Sequence, residues 1–199
     1  MPRHQTKERL LEAGLRMLLE RGYADLGIQA VLAATDTPKG SFYHHFRSKE
    51  DFALQAVERY MDEVHQGLDE CLGDASKPPL ERVRSFFLAT AEKYRSEGYL
   101  GCFLGGLGQE LAATSEVFRD TIQECFGQIA ARIAICLAEA KGRGDLPADA
   151  DPRAMADLLV DCWEGAALRC RLRRDPAPLE AMLDFYFKAA PHPGAVAAR

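Results

Sequence analysis

Between Thr37 and Lys49 the chain reads Thr-Pro-Lys-Gly-Ser-Phe-Tyr-His-His-Phe-Arg-Ser-Lys, a tract dense in basic, hydroxyl, imidazole and aromatic side chains. On a short helix, Lys39, Gly40, Ser41, Tyr43 and His44 can be presented outward while Phe42 and Phe46, four residues apart, turn inward. Cations and hydroxyls of this kind hydrogen-bond phosphate oxygens and base edges, and a glycine among them lets the backbone approach a base pair closely. Lys39 and Ser41 are candidates for base or phosphate contact, and Tyr43 and His44 for phosphate contact. Thr37 is expected to cap this helix, with Pro38 at its first position, where a missing N–H is harmless. Thr37 itself, Gln29, on a preceding helix, and Lys49, in the first turn of the following one, complete the candidate DNA-contact set. At Lys49 a phosphate would also meet the free N–H groups of a helix N-terminus. Arg3 and Lys7 are candidates for an arm near the DNA backbone or minor groove.

A second centre of possible chemistry lies in residues 99–111, Tyr-Leu-Gly-Cys-Phe-Leu-Gly-Gly-Leu-Gly-Gln-Glu-Leu. Each glycine in a helix costs about 1 kcal/mol relative to alanine, so a helix here should shift easily. Cys102 falls where that helix begins, and a helix N-terminus raises the reactivity of a thiol. Phe103, Leu107, Phe126, Ile129, Ile133, Cys162 and Trp163 are candidates for the lining of an effector pocket around it. The alternative for Cys102 is a buried structural cysteine, and for the apolar set an ordinary core.

The elements that must position these groups are all helical. Thr6 is expected to cap a first helix running to Arg21, with Leu11, Leu15 and Leu18 inward and Gly22 as its stop. Ile28, Val31 and Leu32 (i, i+3, i+4) mark a second helix, so a helix-turn-helix occupies about 27–46. Ser48, with Asp51 three residues on, opens a long helix to about Leu72. Five further helices are expected over 80–97, 102–113, 116–141, 152–172 and 178–188, with breaks at Gly98, Thr114-Ser115, Gly142-Arg143-Gly144, Asp151-Pro152 and Asp175-Pro176. No strand pattern and no internal repeat stand out. The expected architecture is all-α with about nine helices: a helix-turn-helix domain over 1–48, a helical effector-binding and dimerisation domain over 49–190, and a flexible tail over 191–199.

Composition narrows the class. The 199 residues are 47% hydrophobic, ample for a core, and no run approaches the ~20 apolar residues that span a bilayer. The N-terminus lacks the apolar centre of a signal peptide, so a cytoplasmic location is expected. The net charge of −5 is unevenly spread: residues 1–52 carry eight Lys/Arg against seven Asp/Glu (+1), and the remainder 17 against 23 (−6). A weakly basic head on an acidic body still allows DNA contact local to the head. The six cysteines form no CxxC or Cys/His metal spacing, so most are expected to be small buried apolar groups, and no metal or other cofactor is implied.

The residues ending the first helix, Arg21-Gly22-Tyr23, the Gln29-to-Ala34 helix, Lys39-Gly40-Ser41-Phe42-Tyr43-His44-His45-Phe46 and Ser48-Lys49-Glu50 together resemble the N-terminal domain of the TetR family of bacterial repressors. The likeness covers about the first quarter of the chain. Members often carry Gly and then Val where this chain has Asp36 and Thr37; Asp tolerates a left-handed turn, so the same fold with altered turn detail is expected. The resemblance implies a repressor, bound to palindromic double-stranded operator DNA as a homodimer and released when an effector shifts the C-terminal body. Leu158, Leu159, Trp163, Ala166, Ala167 and Cys170, with Leu179, Met182, Leu183 and Tyr186, are the candidate dimer face. The Gly-Cys-x-x-Gly pattern is similar to a TetR subgroup that senses electrophiles and reactive chlorine species, which implies Cys102 as sensor; related subgroups bind small organic ligands without covalent chemistry.

Other classes have less to stand on. GxSxG, HExxH and P-loop motifs are missing, and Gly105-Gly106-x-Gly108 lacks the spacing of a dinucleotide fold. A cysteine-dependent enzyme would need a histidine near Cys102, for which His65 is the one conceivable donor. Adjacent His44 and His45 point apart on a helix, which disfavours a metal site. A noncatalytic architectural DNA-binding protein remains as the alternative, although a more uniformly basic chain would suit it better.

Overall fold

The computed structural model describes residues 3–189, with side chains over 5–188. Among the described residues there are nine α-helices and no strand: α1 (Arg3–Arg21), α2 (Ile28–Ala34), α3 (Lys39–His45), α4 (Lys49–Leu72), α5 (Pro79–Ser96), α6 (Phe103–Leu111), α7 (Glu116–Gly142), α8 (Pro152–Arg173) and α9 (Ala177–Ala189). The fold is the all-α one expected. The tail from 191 lies outside the described residues.

The chain forms two compact units. The first runs through Val64 and takes in Cys102–Ile122, so α6 and the start of α7 belong to it; the second comprises His65–Gly101 and the chain from Gln123 onward. A division at residue 48 follows the DNA-reading motif, whereas the compact unit follows the packing.

In the first unit, Leu10, Leu18, Val31, Leu32, Phe42, Phe46, Phe52, Ala56 and Val57 are buried. The expected stripes of α1 to α4 therefore do turn inward, apart from Leu15 and Ile28, which are half-buried. Phe42, Phe46 and Phe52 form a three-ring cluster with centroids 4.8–5.2 Å apart. A seven-residue helix is too short to stand alone, and this cluster is what holds α3 to the body of the unit. α1 ends as expected at Gly22, which takes a left-handed φ of 82°. The α2–α3 turn uses the left-handed conformation at Asp36 (φ 47°), a role that a short polar side chain can fill.

Three local expectations are corrected. The α3 N-cap is Pro38, without a side-chain cap, and Lys39 is the first helical residue. Thr37 does not cap, because its hydroxyl donates to the Thr35 carbonyl (3.2 Å) and accepts from the Thr35 hydroxyl (3.0 Å). Thr6 lies inside α1, which starts at Arg3; Lys7 is likewise helical, so it forms no extended arm, and the Arg3 side chain lies outside those described. The start of α4 is as expected. Ser48 Oγ accepts from Asp51 N (3.0 Å), while the Asp51 carboxylate accepts from Arg47 N (2.7 Å). That backbone donor, with help from Gln55, holds the Asp51 carboxyl below its usual range.

In the second unit, α8 and α9 pack on each other. Asp151 caps α8 by accepting from Arg153 N (2.9 Å) and Ala154 N (3.1 Å) ahead of Pro152, and the Tyr186 hydroxyl donates to the Met155 carbonyl (2.8 Å). Arg84 on α5 pairs with Asp184 on α9 at 2.9 Å. Arg82, nearly buried, donates to the Leu72 carbonyl at the end of α4 (2.9 Å) and to Glu139.

Candidate nucleic-acid interface and effector region

Seven residues of α3 divide cleanly by exposure. Phe42 is fully buried, whereas Lys39, Gly40, Tyr43 and His44 are exposed and Ser41 is half-exposed. Tyr43 keeps 55% of its surface, although its ring edge rests on Phe42 at 5.4 Å. A Cβ added at Gly40 would meet nothing within 4 Å, so at this position the helix presents bare backbone to the outside. Gln29, near the start of α2, is exposed as well, and Thr37 is half-buried in the turn. The expected contact residues Gln29, Lys39, Gly40, Ser41, Tyr43 and His44 are thus on the surface of one helix-turn-helix.

Lys49 differs from its expected posture. Its Nζ donates to the Ala24 carbonyl at 3.1 Å and sits 4.6 Å from the centroid of the Tyr23 ring, so the cation is half-buried on the α1–α2 loop instead of reaching outward. Burial pushes the Tyr23 phenol above its usual value, with Glu50 and Glu110 adding to the shift. Two side chains with positioning roles went unread in the sequence. Arg9 donates to the Thr35 carbonyl and so ties α1 to the end of α2. Glu110, on α6, accepts from the backbone N–H groups of Tyr23 and Ala24.

Cys102 is the N-cap residue of α6, half-buried, and its carbonyl accepts from Gly106 N at 3.0 Å. Phe103 and Leu107 are buried in the first unit, with the Phe103 ring 5.1 Å from that of Tyr60. Of the other candidate effector residues, Phe126 and Ile129 are half-buried in the second unit. Trp163 is buried there against Phe87 (4.8 Å) and Tyr94 (5.8 Å). Cys125, Cys136 and Cys170 are buried, and burial pushes their thiols up, Cys125 to about 11. Those three are structural cysteines as expected, but Cys71 and Cys102 are half-buried and Cys162, a candidate for the pocket lining, is exposed, so fewer are buried than expected.

The candidate dimer residues sort by exposure too. Leu159, Trp163, Ala166, Ala167, Cys170, Leu179 and Leu183 are buried inside one chain, and Met182 and Tyr186 are half-buried. Leu158 is 56% exposed, Leu172 71% and Phe185 76%. Leu159, Ala166, Cys170, Leu179 and Leu183, expected to face a partner, are thus buried within one chain.

A solvent-facing recognition helix on a three-helix head, in an otherwise helical chain, defines a helix-turn-helix DNA-binding protein. The model of the tetR family of bacterial regulatory proteins matches residues 10–56, and that of the tetracyclin repressor-like C-terminal domain matches residues 79–186. The HTH-type transcriptional repressor DhaR of Mycobacterium sp. (strain GP1) is 34% identical over 189 residues, covering 95% of this chain and 94% of that one. The transcriptional regulator AcuR of Cereibacter sphaeroides is 40% identical over 173 residues, 86% of this chain and 79% of that one. The crystal structure of E. coli NemR in its reduced form superposes with a TM-score of 0.87 at 30% identity, covering 96% of this chain and all of that one. The chain belongs to the TetR family, and it is a DNA-binding transcriptional regulator. Among the described residues no helix is long and apolar enough to cross a membrane.

Proposed function

We propose that the protein is a cytoplasmic, homodimeric repressor that holds a palindromic operator through α3 and releases it when a small organic or electrophilic effector acts on the C-terminal body. The observation that carries the reading is the two-sided character of α3: Phe42 anchored in a ring cluster, and Lys39, Gly40, Tyr43 and His44 turned to solvent. Lys39 and Ser41 read base edges or phosphate, Tyr43 and His44 meet phosphate, and Gln29 and Thr37 support the helix from the element and turn before it. Lys49 reaches phosphate only by leaving the Ala24 carbonyl. Two heads paired by a two-fold axis read half-sites about 34–36 Å apart or multiples of that. The dimer face is the exposed stripe of α8 and α9. The names of DhaR and NemR, both repressors, support the sign of regulation.

Gly40→Leu separates recognition from folding. Position 40 is exposed and a Cβ there meets nothing within 4 Å, so folding stability is expected to stay level or rise by up to about 1 kcal/mol as helix propensity improves. Operator affinity is expected to fall by about 10- to 100-fold, equivalent to about 1–3 kcal/mol of lost base contact. A titration on the operator at fixed salt, beside a thermal melt, measures both; equal affinity would remove Gly40 from the interface.

For the switch, Cys102 at the mouth of a glycine-rich helix supports attack on an electrophile: the thiol adds across an activated C=C, forming an S–C bond, and its proton ends on the neighbouring carbon. A noncovalent organic effector would instead use the apolar residues of the second unit, Phe126, Ile129 and Trp163. Footprinting on the DNA upstream of the protein's own gene, with and without N-ethylmaleimide, tests the reading. The parent is expected to protect one palindromic site and release it on treatment, while Cys102→Ser keeps its grip. Equal release of Cys102→Ser would remove Cys102 as the sensor and move the reaction to another thiol, the exposed Cys162 first.

A further inference from the structure

The end of α1 and the end of α6 meet in a contact that the DNA-reading geometry does not need. Gly22, in its left-handed conformation, closes α1 with an N–H bond to the Leu18 carbonyl (2.9 Å), and the next two N–H groups then point away from the helix. Both go to one carboxylate: Glu110 accepts from Tyr23 N at 2.7 Å and from Ala24 N at 2.6 Å, one on each oxygen. The fit is close enough that a Cβ on Gly22 would lie 2.7 Å from Glu110 Oε2. On the other side of the same loop, Lys49 at the start of α4 grips the Ala24 carbonyl. The turn that follows is pinned by Leu26 N donating to the Tyr23 carbonyl (3.2 Å), immediately before Gly27, the N-cap of α2. Ionic hydrogen bonds to backbone N–H groups are about twice as strong as neutral ones, so this is the firmest polar tie between α6 and the entrance to the helix-turn-helix.

We propose that Glu110 is the positioning residue through which α6 sets the α1–α2 loop, and with it the placement of the DNA-reading helices. α6 is a rod of nine residues, about 13 Å long, with Cys102 at one end and Glu110 one residue from the other. Gly105, Gly106 and Gly108 weaken it, so a change at the Cys102 end displaces or frays the helix cheaply. Either motion pulls the carboxylate from two loop N–H groups at once and leaves the loop held by Lys49 and by the edge contact of Tyr23 with Phe118 on α7 (5.5 Å). A purely structural cap on α1 would have the same distances but would carry no signal from Cys102.

This inference rests on the reading of Cys102 as the effector-responsive residue, and the test separates the two. Full-length protein is treated with N-ethylmaleimide, and amide exchange is followed over residues 20–27 in the parent, Glu110→Gln and Glu110→Ala, with Cys102→Ser treated alongside to subtract the other thiols. In the parent, the Cys102 adduct is expected to speed exchange in this segment by about threefold or more. In Glu110→Ala the segment already exchanges fast, and the adduct adds less than about 1.5-fold. Glu110→Gln, whose amide oxygen keeps one of the two bonds, falls between. A full adduct effect in Glu110→Ala, or none in the parent, overturns the proposal. Operator release is scored on the same samples. An adduct that moves the loop without releasing DNA leaves Glu110 in place and refutes Cys102 as the switch; release with a still loop does the reverse.

Discussion

Phe42→Ala is expected to destabilise the DNA-binding head by about 3–5 kcal/mol, the usual cost of removing a fully buried aromatic ring. Phe42 has no exposed surface, and its ring stands 5.0 Å from Phe46 and 5.2 Å from Phe52. The cavity would open at the one place where α3 is fastened. α3 has seven residues and no side-chain cap at its N-terminus, so little else keeps it helical. Operator binding should be lost together with the helix, even though no DNA-facing group is altered. Phe42→Leu, which keeps most of the volume, is expected to cost less than about 1.5 kcal/mol and to keep operator binding. Urea denaturation, with amide exchange over residues 39–56 as the local probe, measures both. A loss below about 1 kcal/mol for the alanine variant would mean that α3 is held by something other than the ring cluster.

Much of this fold could be read directly because its signals are local. The i, i+3, i+4 stripe of α2, the Phe42/Phe46 pair, Gly22 after α1 and the Ser48/Asp51 cap each involve residues within one or two helical turns, and each is where the residue types put it. The failures have an equally local cause. Thr37 has the right chemistry for an N-cap, but Thr35, two residues earlier and buried, takes its hydroxyl. Propensity describes what a side chain can do and is silent on a competing partner whose position depends on the turn.

The site was legible where it faces solvent and illegible where it depends on distant partners. The outward groups of α3 follow from the inward ones by helix geometry alone. Lys49, by contrast, is bound 25 residues away at Ala24, and Glu110 is bound 87 residues away at Tyr23. Nothing in the neighbourhood of either residue encodes that pairing. The candidate dimer face mixes buried and exposed residues for a different reason. Leu158 and Leu159 are adjacent, both apolar, and on a broad apolar helix face the sequence does not say which of them is buried and which is left outside.

That distinction determines the second large effect. Leu158, Gly165 and Leu172 lie on one stripe of α8 at seven-residue spacing, and Phe185 is the exposed large apolar group of α9. In a two-fold interface every residue of the face is used twice, so one charge placed there is desolvated in both protomers, and charges near the axis also repel their own copies. Leu158→Glu combined with Phe185→Glu is therefore expected to give a monomer. The chain itself should still fold, because Leu158 and Phe185 are exposed, whereas Leu159, Cys170, Leu179 and Leu183 are buried and left unchanged. Operator affinity should fall by about 10³-fold, because pairing two heads makes the second half-site encounter intramolecular, an advantage of about 10² to 10⁴. Ile135→Glu on α7 places the same charge on another exposed apolar residue and is expected to change neither mass nor affinity. Analytical ultracentrifugation and an operator titration read the outcome. A double variant that stays dimeric with parental affinity would put the partner on a different surface, whereas a monomer with parental affinity would show that one head suffices.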